Sequence, residues 1–138
     1  MGGRIVVHSL GQARAALAAA ASLKRKVVLA SGPGAGAYAG PAWFKSLVDQ
    51  AKSACPGAEA EASLDCGEAA GAALAALRIG FKRVGFSGNA QARADLEDMA
   101  RALGAAIETG NDDSALDLRD KKNSEASCRA YLAGETLA

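Results

Sequence analysis

The side chains best able to do chemistry stand at the ends of short runs that read as strands. His8 and Ser9 follow Arg4-Ile5-Val6-Val7, Ser31 follows Val27-Val28-Leu29-Ala30, and Asp65 and Cys66 follow the run from Ala60 to Leu64. Ser87, Gly88 and Asn89 close the run that begins Val84-Gly85-Phe86. Imidazole and carboxylate groups move protons near neutral pH, so His8 and Asp65 are candidates for general acid–base work. A thiol at a helix start and within reach of a histidine ionises more readily, which makes Cys66 a candidate nucleophile or pocket wall. Each residue also has a plainer reading. Ser9, Asp65 and Asn89 are helix-capping types standing where caps are needed, and a His or Cys at such a place commonly packs.

The segment after Ser31 is the sharpest local feature. Residues 32–40 hold four glycines, Gly32, Gly34, Gly36 and Gly40, and no charge, which is longer than a strand-to-helix turn needs. Glycine lets backbone amides converge on a ligand, and a following helix adds its positive end. The amides of Gly34, Gly36 and Gly88 are therefore candidates to hold a phosphate or carboxylate, with Ser31, Gly32, Tyr38, Ser87 and Asn89 around them. The plain alternative is a packed turn that binds nothing.

Several familiar chemistries are excluded or disfavoured. The glycines match a relaxed dinucleotide fingerprint, but Pro41 sets the helix start too late, and the acids about 20 residues on, Glu59 and Glu61, lie near the beginning of the next strand and not at its end. No GxxxxGK[ST] is present, so a Walker-type hydrolase is ruled out. Gly85-Phe86-Ser87-Gly88-Asn89 misses the nucleophile-elbow pattern at Asn89, and the only histidine precedes the serine. Asp112, Asp113, Asp117 and Asp120 are dense enough to suggest a hard metal. They lack calcium-loop spacing and alternate with Arg119, Lys121 and Lys122, so they read as a solvated loop. No metal and no cofactor are expected.

The elements that position these residues alternate in period. Short runs carrying β-branched residues predict strands at 4–8, 27–30, 84–87 and 106–109; the run 60–64, with Glu59 and Glu61 alternating at its start, reads as a partly wet strand, and a further short strand is expected at 116–118. Between them lie helical patterns. Ser9 and Gln12 form a capping box before a helix reaching about Arg25, and Lys24, Arg25 and Lys26 are expected in its last turn. Pro41 opens a helix carrying Trp43, Phe44, Leu47, Val48, Ala51, Ala54 and Cys55 on one stripe, stopped by Pro56-Gly57. Asp65-Cys66-Gly67-Glu68 reads as a second capping box, for a helix ending at Gly80. Asn89 caps a helix that Gly104 ends, and a final helix is expected over 124–132.

Strands alternating with helices imply right-handed crossovers and a parallel sheet. The expected fold is an α/β single domain, a three-layer α/β/α sandwich with a mostly parallel sheet of about five strands. A half-barrel of four βα units satisfies the same pattern. Residues 1–110 form the βαβαβαβαβ core and 111–138 a polar extension with a short helix. A parallel sheet sends every βα turn to the carboxyl ends of its strands, which places the candidate residues on one edge.

Composition bounds the rest. The 138 residues carry 16 basic and 15 acidic side chains, a net charge of +1, which gives no electrostatic argument for nucleic acid. The longest uncharged helical run, residues 15–23, is about half of a membrane span. The N-terminal segment has too few apolar residues for a signal core, and Cys55, Cys66 and Cys128 show no CxxC spacing. A cytoplasmic protein with reduced thiols is expected. Alanine is the outlier at 35 residues. The charge-free helical runs 15–23 and 69–77 would expose mostly alanine, and a homodimer through one of them would cover it.

The stretch Ser31-Gly32-Pro33-Gly34-Ala35-Gly36-Ala37-Tyr38-Ala39-Gly40-Pro41-Ala42-Trp43-Phe44, followed by Leu64-Asp65-Cys66-Gly67-Glu68-Ala69-Ala70-Gly71, resembles a family of short bacterial α/β proteins. That resemblance spans most of residues 4–107 and brings no assigned activity. The Asp-Cys-Gly and Phe-Ser-Gly-Asn turns also resemble βα units of aldolase-type barrels, again without a role to carry over. The first functional expectation is a module binding a small anionic metabolite at the strand-end edge. A lyase or isomerase acting on a phosphorylated or carboxylated metabolite is the second, and an assembly protein working through its alanine-rich helices the third.

Overall fold

The computed structural model describes residues 3–109 and 114–134. Its elements are β1 (Gly3–Val6), α1 (Leu10–Leu23), β2 (Val27–Ala30), α2 (Ala35–Tyr38), α3 (Pro41–Ala54) and β3 (Ala60–Asp65). There follow α4 (Ala70–Ile79), β4 (Arg83–Gly85), α5 (Ala90–Leu103), β5 (Ala106–Glu108), β6 (Leu116–Asp117) and α6 (Ser124–Leu132). The strands form one six-stranded sheet in the order β5-β4-β3-β2-β1-β6. This is the expected α/β architecture, and the sheet is parallel with one strand more than expected. From β1 to β5 each strand adds beside the last, and the order reverses once, where β6 joins the free side of β1. Two compact units make up the chain: Met1–Ala30, Leu47–Glu61 and Asp112–Ala138 in the first, Ser31–Ser46 and Ala62–Asn111 in the second.

In the first unit, β1 pairs in parallel with β2 from Gly3↔Val27 to Val6↔Ala30. On its other side it pairs with β6 through Ile5↔Leu116 and Val6↔Asp117. The segment read as an extension thus contributes a strand. Ile5, Val7 and Leu29 are fully buried, as the β-branched runs require. Along α1, Ala13, Ala16, Leu17, Ala19 and Ala20 are all inaccessible. Small side chains let a neighbouring helix come close, and α6 packs against α1 with Cys128 and Leu132 buried. Much of the alanine face assigned above to a second copy is therefore covered by the chain's own last helix. Burying Leu17 alone contributes on the order of 2 kcal/mol.

The end of α1 corrects one expectation. Lys24, Arg25 and Lys26 fall outside the helix, which stops at Leu23, and Lys24 adopts the left-handed conformation at φ 53°. Only that conformation lets the Lys24 and Arg25 amides reach the Ala21 and Ala20 carbonyls while the chain turns into β2.

The second unit holds the close of β3 together with β4 and β5. Ser63↔Arg83 and Asp65↔Gly85 align β3 with β4, and Arg83↔Ala106 and Gly85↔Glu108 align β4 with β5. One face of these strands carries a polar staple. Ser63 Oγ donates to Glu108 Oε1 at 2.7 Å, and Arg83 Nη1 donates to Glu108 Oε2 at 3.0 Å. The opposite face presents Leu64 and Val84, both fully buried.

Helix starts are where sequence and structure are most directly comparable. Ser9 Oγ accepts from the Gln12 amide at 3.2 Å, and Asn89 Oδ1 accepts from the Ala92 amide at 2.8 Å, as their types predict. Asn89→Ala is expected to cost about 1 kcal/mol, read as a lower urea midpoint with an unchanged slope. The second capping box does not form. α4 begins at Ala70 behind Ala69, which provides no side-chain cap, because β3 runs on through Asp65 and carries that carboxylate elsewhere.

Candidate functional site

His8 and Asp117 meet at the carboxyl ends of β1 and β6, both within the first unit. The strands are in register at Val6↔Asp117, which sets His8, two residues beyond Val6, next to that strand end. His8 Nε2 lies 2.7 Å from Asp117 Oδ1, with the two side chains 23 % and 48 % exposed. The same carboxylate oxygen accepts from the Arg119 amide at 2.9 Å. Burial pulls the Asp117 carboxyl upward. The Arg119 amide, the His8 ring and the charges on both residues outweigh it and hold the group below its ordinary value. An ionised carboxylate only accepts, so the shared proton lies on Nε2 and Nδ1 carries the lone pair when the ring is neutral. Among the described residues Nδ1 makes no hydrogen bond.

A lowered folded-state value gives Asp117 a defined pH signature. Its stabilising contribution is full above the carboxyl's unfolded value of about 3.9 and is lost as pH falls through the lower folded value. Urea melts of the wild type and Asp117→Asn from pH 6 to pH 3 should therefore differ at the upper end and converge at the lower. A gap that widens in acid would contradict the pairing.

In the second unit, Ser31 and Asp65 form a closed hydrogen-bonded group. Ser31, 1 % exposed, accepts the Asp65 amide at 2.9 Å and donates its hydroxyl to the Gly32 carbonyl at 3.0 Å. Asp65 Oδ2 accepts the Gly34 amide at 2.6 Å. Gly34, at φ 70°, is the N-cap of α2, a single helical turn inside the segment read as open loop. The amide assigned to an external anion thus already faces the protein's own carboxylate. Asp65 is committed to the Gly34 amide and is not the cap of α4.

The other residues named for this edge divide by what they touch. Gly36 is buried in α2, where a Cβ would stand 2.6 Å from Cys66 Sγ, so its small size serves packing. A Cβ on Gly88 would run into the Phe86 ring. Gly32 is buried, whereas Tyr38 is 76 % exposed. Ser87 donates its amide to the Gly67 carbonyl at 2.8 Å, and Asn89 is committed to its cap. Cys66 is fully buried. Burial first, and the Asp65 charge second, push its thiol up to about 12, away from the thiolate a nucleophile needs. Of the three candidates for chemistry, His8 belongs to the first unit, and Asp65 and Cys66 to the second.

Two residues escaped sequence reading. Asp117 was grouped with a solvated loop, although Leu116 and Leu118 on either side of it are the alternation of a short strand. Arg93 lies in the first turn of α5, yet it reaches back to the carbonyls of Phe86 at 2.9 Å and Ile107 at 3.3 Å. It ties the carboxyl ends of β4 and β5 to the helix between them. Among the described residues no group of three His, Cys, Asp or Glu side chains is placed to hold a metal ion, and Asp112 and Asp113 lie outside those residues. No described helix is long and apolar enough to cross a membrane.

No protein-family model matches the chain, and no curated protein matches its sequence. The geometry of the two strand ends is what remains to reason from.

Proposed function

We propose that the protein takes up a small anionic metabolite at the carboxyl-terminal edge of its sheet and that His8 moves a proton on it, as a small lyase or isomerase does. The observation that carries this reading is the His8–Asp117 pair. A carboxylate on Nε2 fixes the ring and its tautomer and leaves the Nδ1 lone pair to accept a proton, which is what a general base requires. Two further features support the location. Ligands of open parallel sheets bind at the carboxyl ends where strand order reverses, and β1 is that place here. The turn after β6 carries Arg119, Lys121 and Lys122, all exposed, which suits a phosphorylated or carboxylated ligand better than the uncharged Gly32–Gly40 segment.

Binding without turnover uses the same ligand and differs only in what happens to it. Three free thiols, Cys55, Cys66 and Cys128, fit a reducing, cytoplasmic setting. A homodimer belongs to the proposal through α4, whose Gly71 and Ala75 stay exposed, and sedimentation at tens of micromolar checks it.

The test is a thermal-shift screen of phosphorylated and carboxylated metabolites in D2O, with deuterium entry into each stabilising compound followed by NMR. A hit should exchange a carbon-bound proton with the wild type and not with His8→Asn. Stabilisation of both proteins without exchange in either leaves a binding module. The absence of any stabilising anion removes both readings and leaves the assembly role.

A further inference from the structure

We infer that Gln12 is the positioning residue of the His8–Asp117 pair, holding the two strand ends at the separation the pair needs; the catalytic sense of this rests on the function proposed above. Gln12 lies in the first turn of α1, and its side-chain amide has a partner on each strand. Oε1 accepts the His8 amide at 2.7 Å, and Nε2 donates to the Leu118 carbonyl at 3.1 Å. His8 is the residue whose ring is placed, and Leu118 adjoins the carboxylate that places it.

The β1–β6 ladder cannot do this by itself. Its paired register is two residues long, and the Leu118 amide bonded to the Val6 carbonyl at 3.1 Å is its last rung. His8 lies beyond that rung, past the last paired residue of β1. Gln12 supplies a further cross-link of side-chain length there. Its own amide is fixed on Ser9 Oγ at 3.2 Å, so the primary amide starts from an anchored backbone.

The arrangement departs from the capping box that Ser9 and Gln12 predict. In that motif the third helical residue reaches back to the amide of the cap residue itself. Here the Gln12 side chain reaches one residue further, to His8, and spends its donor on β6. Glutamate fills the reciprocal role in a capping box equally well but has no donor for Leu118, so a requirement for glutamine separates a link between strands from a helix cap.

His8 is the only histidine in the chain, so its ring nitrogens give single, unambiguous NMR signals. The experiment measures exchange of the His8 Nε2 proton with water in the full chain, for the wild type, Asp117→Asn, Gln12→Met and Gln12→Glu. In the wild type the hydrogen bond to Asp117 should slow that exchange. In Gln12→Met and Gln12→Glu it should exchange roughly tenfold faster, approaching Asp117→Asn, because an aligned charge-assisted bond is lost. Exchange as slow as the wild type in Gln12→Glu, which keeps the cap and needs no refolding of α1, overturns the inference. Two results separate this from the proposed function. Faster exchange in the Gln12 variants with no metabolite turned over leaves the positioning role standing and removes the reaction. Turnover that depends on His8 but survives Gln12→Glu, with unchanged exchange, does the reverse.

Discussion

Phe44→Ala should lower stability by about 3–5 kcal/mol, among the largest effects expected of a single truncation in this chain. Phe44 is fully buried in the second unit. Its ring lies nearly parallel to that of Phe81, 6.2 Å between centroids and 14° between planes, and tilted against Trp43 at 5.7 Å. Alanine removes the transfer free energy of the whole ring and leaves a cavity that two large neighbours cannot close by rotating. Phe44→Leu keeps most of the volume and should cost well under half as much. For a domain of this length each kcal/mol moves Tm by roughly 3–5 °C, so the alanine variant should melt about 10–20 °C lower. A loss below about 1 kcal/mol would mean that Phe44 is not sealed from water. The residue matters to the candidate edge because it sits in the first turn of α3, immediately after the Gly32–Gly40 segment, and anchors that segment's far end.

What could be read from residues alone follows a physical division. Periodicity reports which side of an element is buried, and burial drives element formation, so the short strand-like runs and amphipathic stripes located, among the described residues, every helix of more than one turn and all six strands. Capping residues are equally local: Ser9 and Asn89 were legible because a cap and its target are three residues apart. Asp65 was misread for the same reason. A carboxylate five residues before a helix has the sequence signature of a cap whether it bonds forward to that helix or, as here, 31 positions back to Gly34. His8 stood out as the only imidazole, but its partner is 109 positions away in a segment whose dense charge looks solvated. No local rule scores that pairing. It depends on a two-residue strand choosing β1 as its neighbour, a tertiary event that sequence pattern permits and does not specify. The glycines show a further ambiguity, since freedom of φ and absence of a Cβ leave the same mark in a sequence. Gly34 uses the first at φ 70°, Gly36 the second.

That distinction at Gly36 is open to a direct energetic test. Gly36→Ala should destabilise the protein by about 1–3 kcal/mol, as extra volume in a filled interior does. The added methyl would meet Cys66 Sγ at 2.6 Å and two Leu64 carbons at 3.1 Å. Both side chains are fully buried, so neither has open space to retreat into. Cys66→Ala deletes the closest of these atoms and by itself leaves a small void. Combined with Gly36→Ala, the void and the new methyl occupy nearly the same place. The double variant should then be more stable than the sum of the single losses by about 1–2 kcal/mol, well outside the roughly 0.5 kcal/mol expected of independent sites. Leu64 must still give by a few tenths of an ångström, which keeps the double variant below the wild type. If Gly36 were instead kept for an amide offered to a ligand, the two losses would add, and Gly36→Ala would be mild in the free protein and harmful only to ligand uptake. Urea titrations of the four proteins decide between a glycine that makes room for sulfur and one that makes room for a guest.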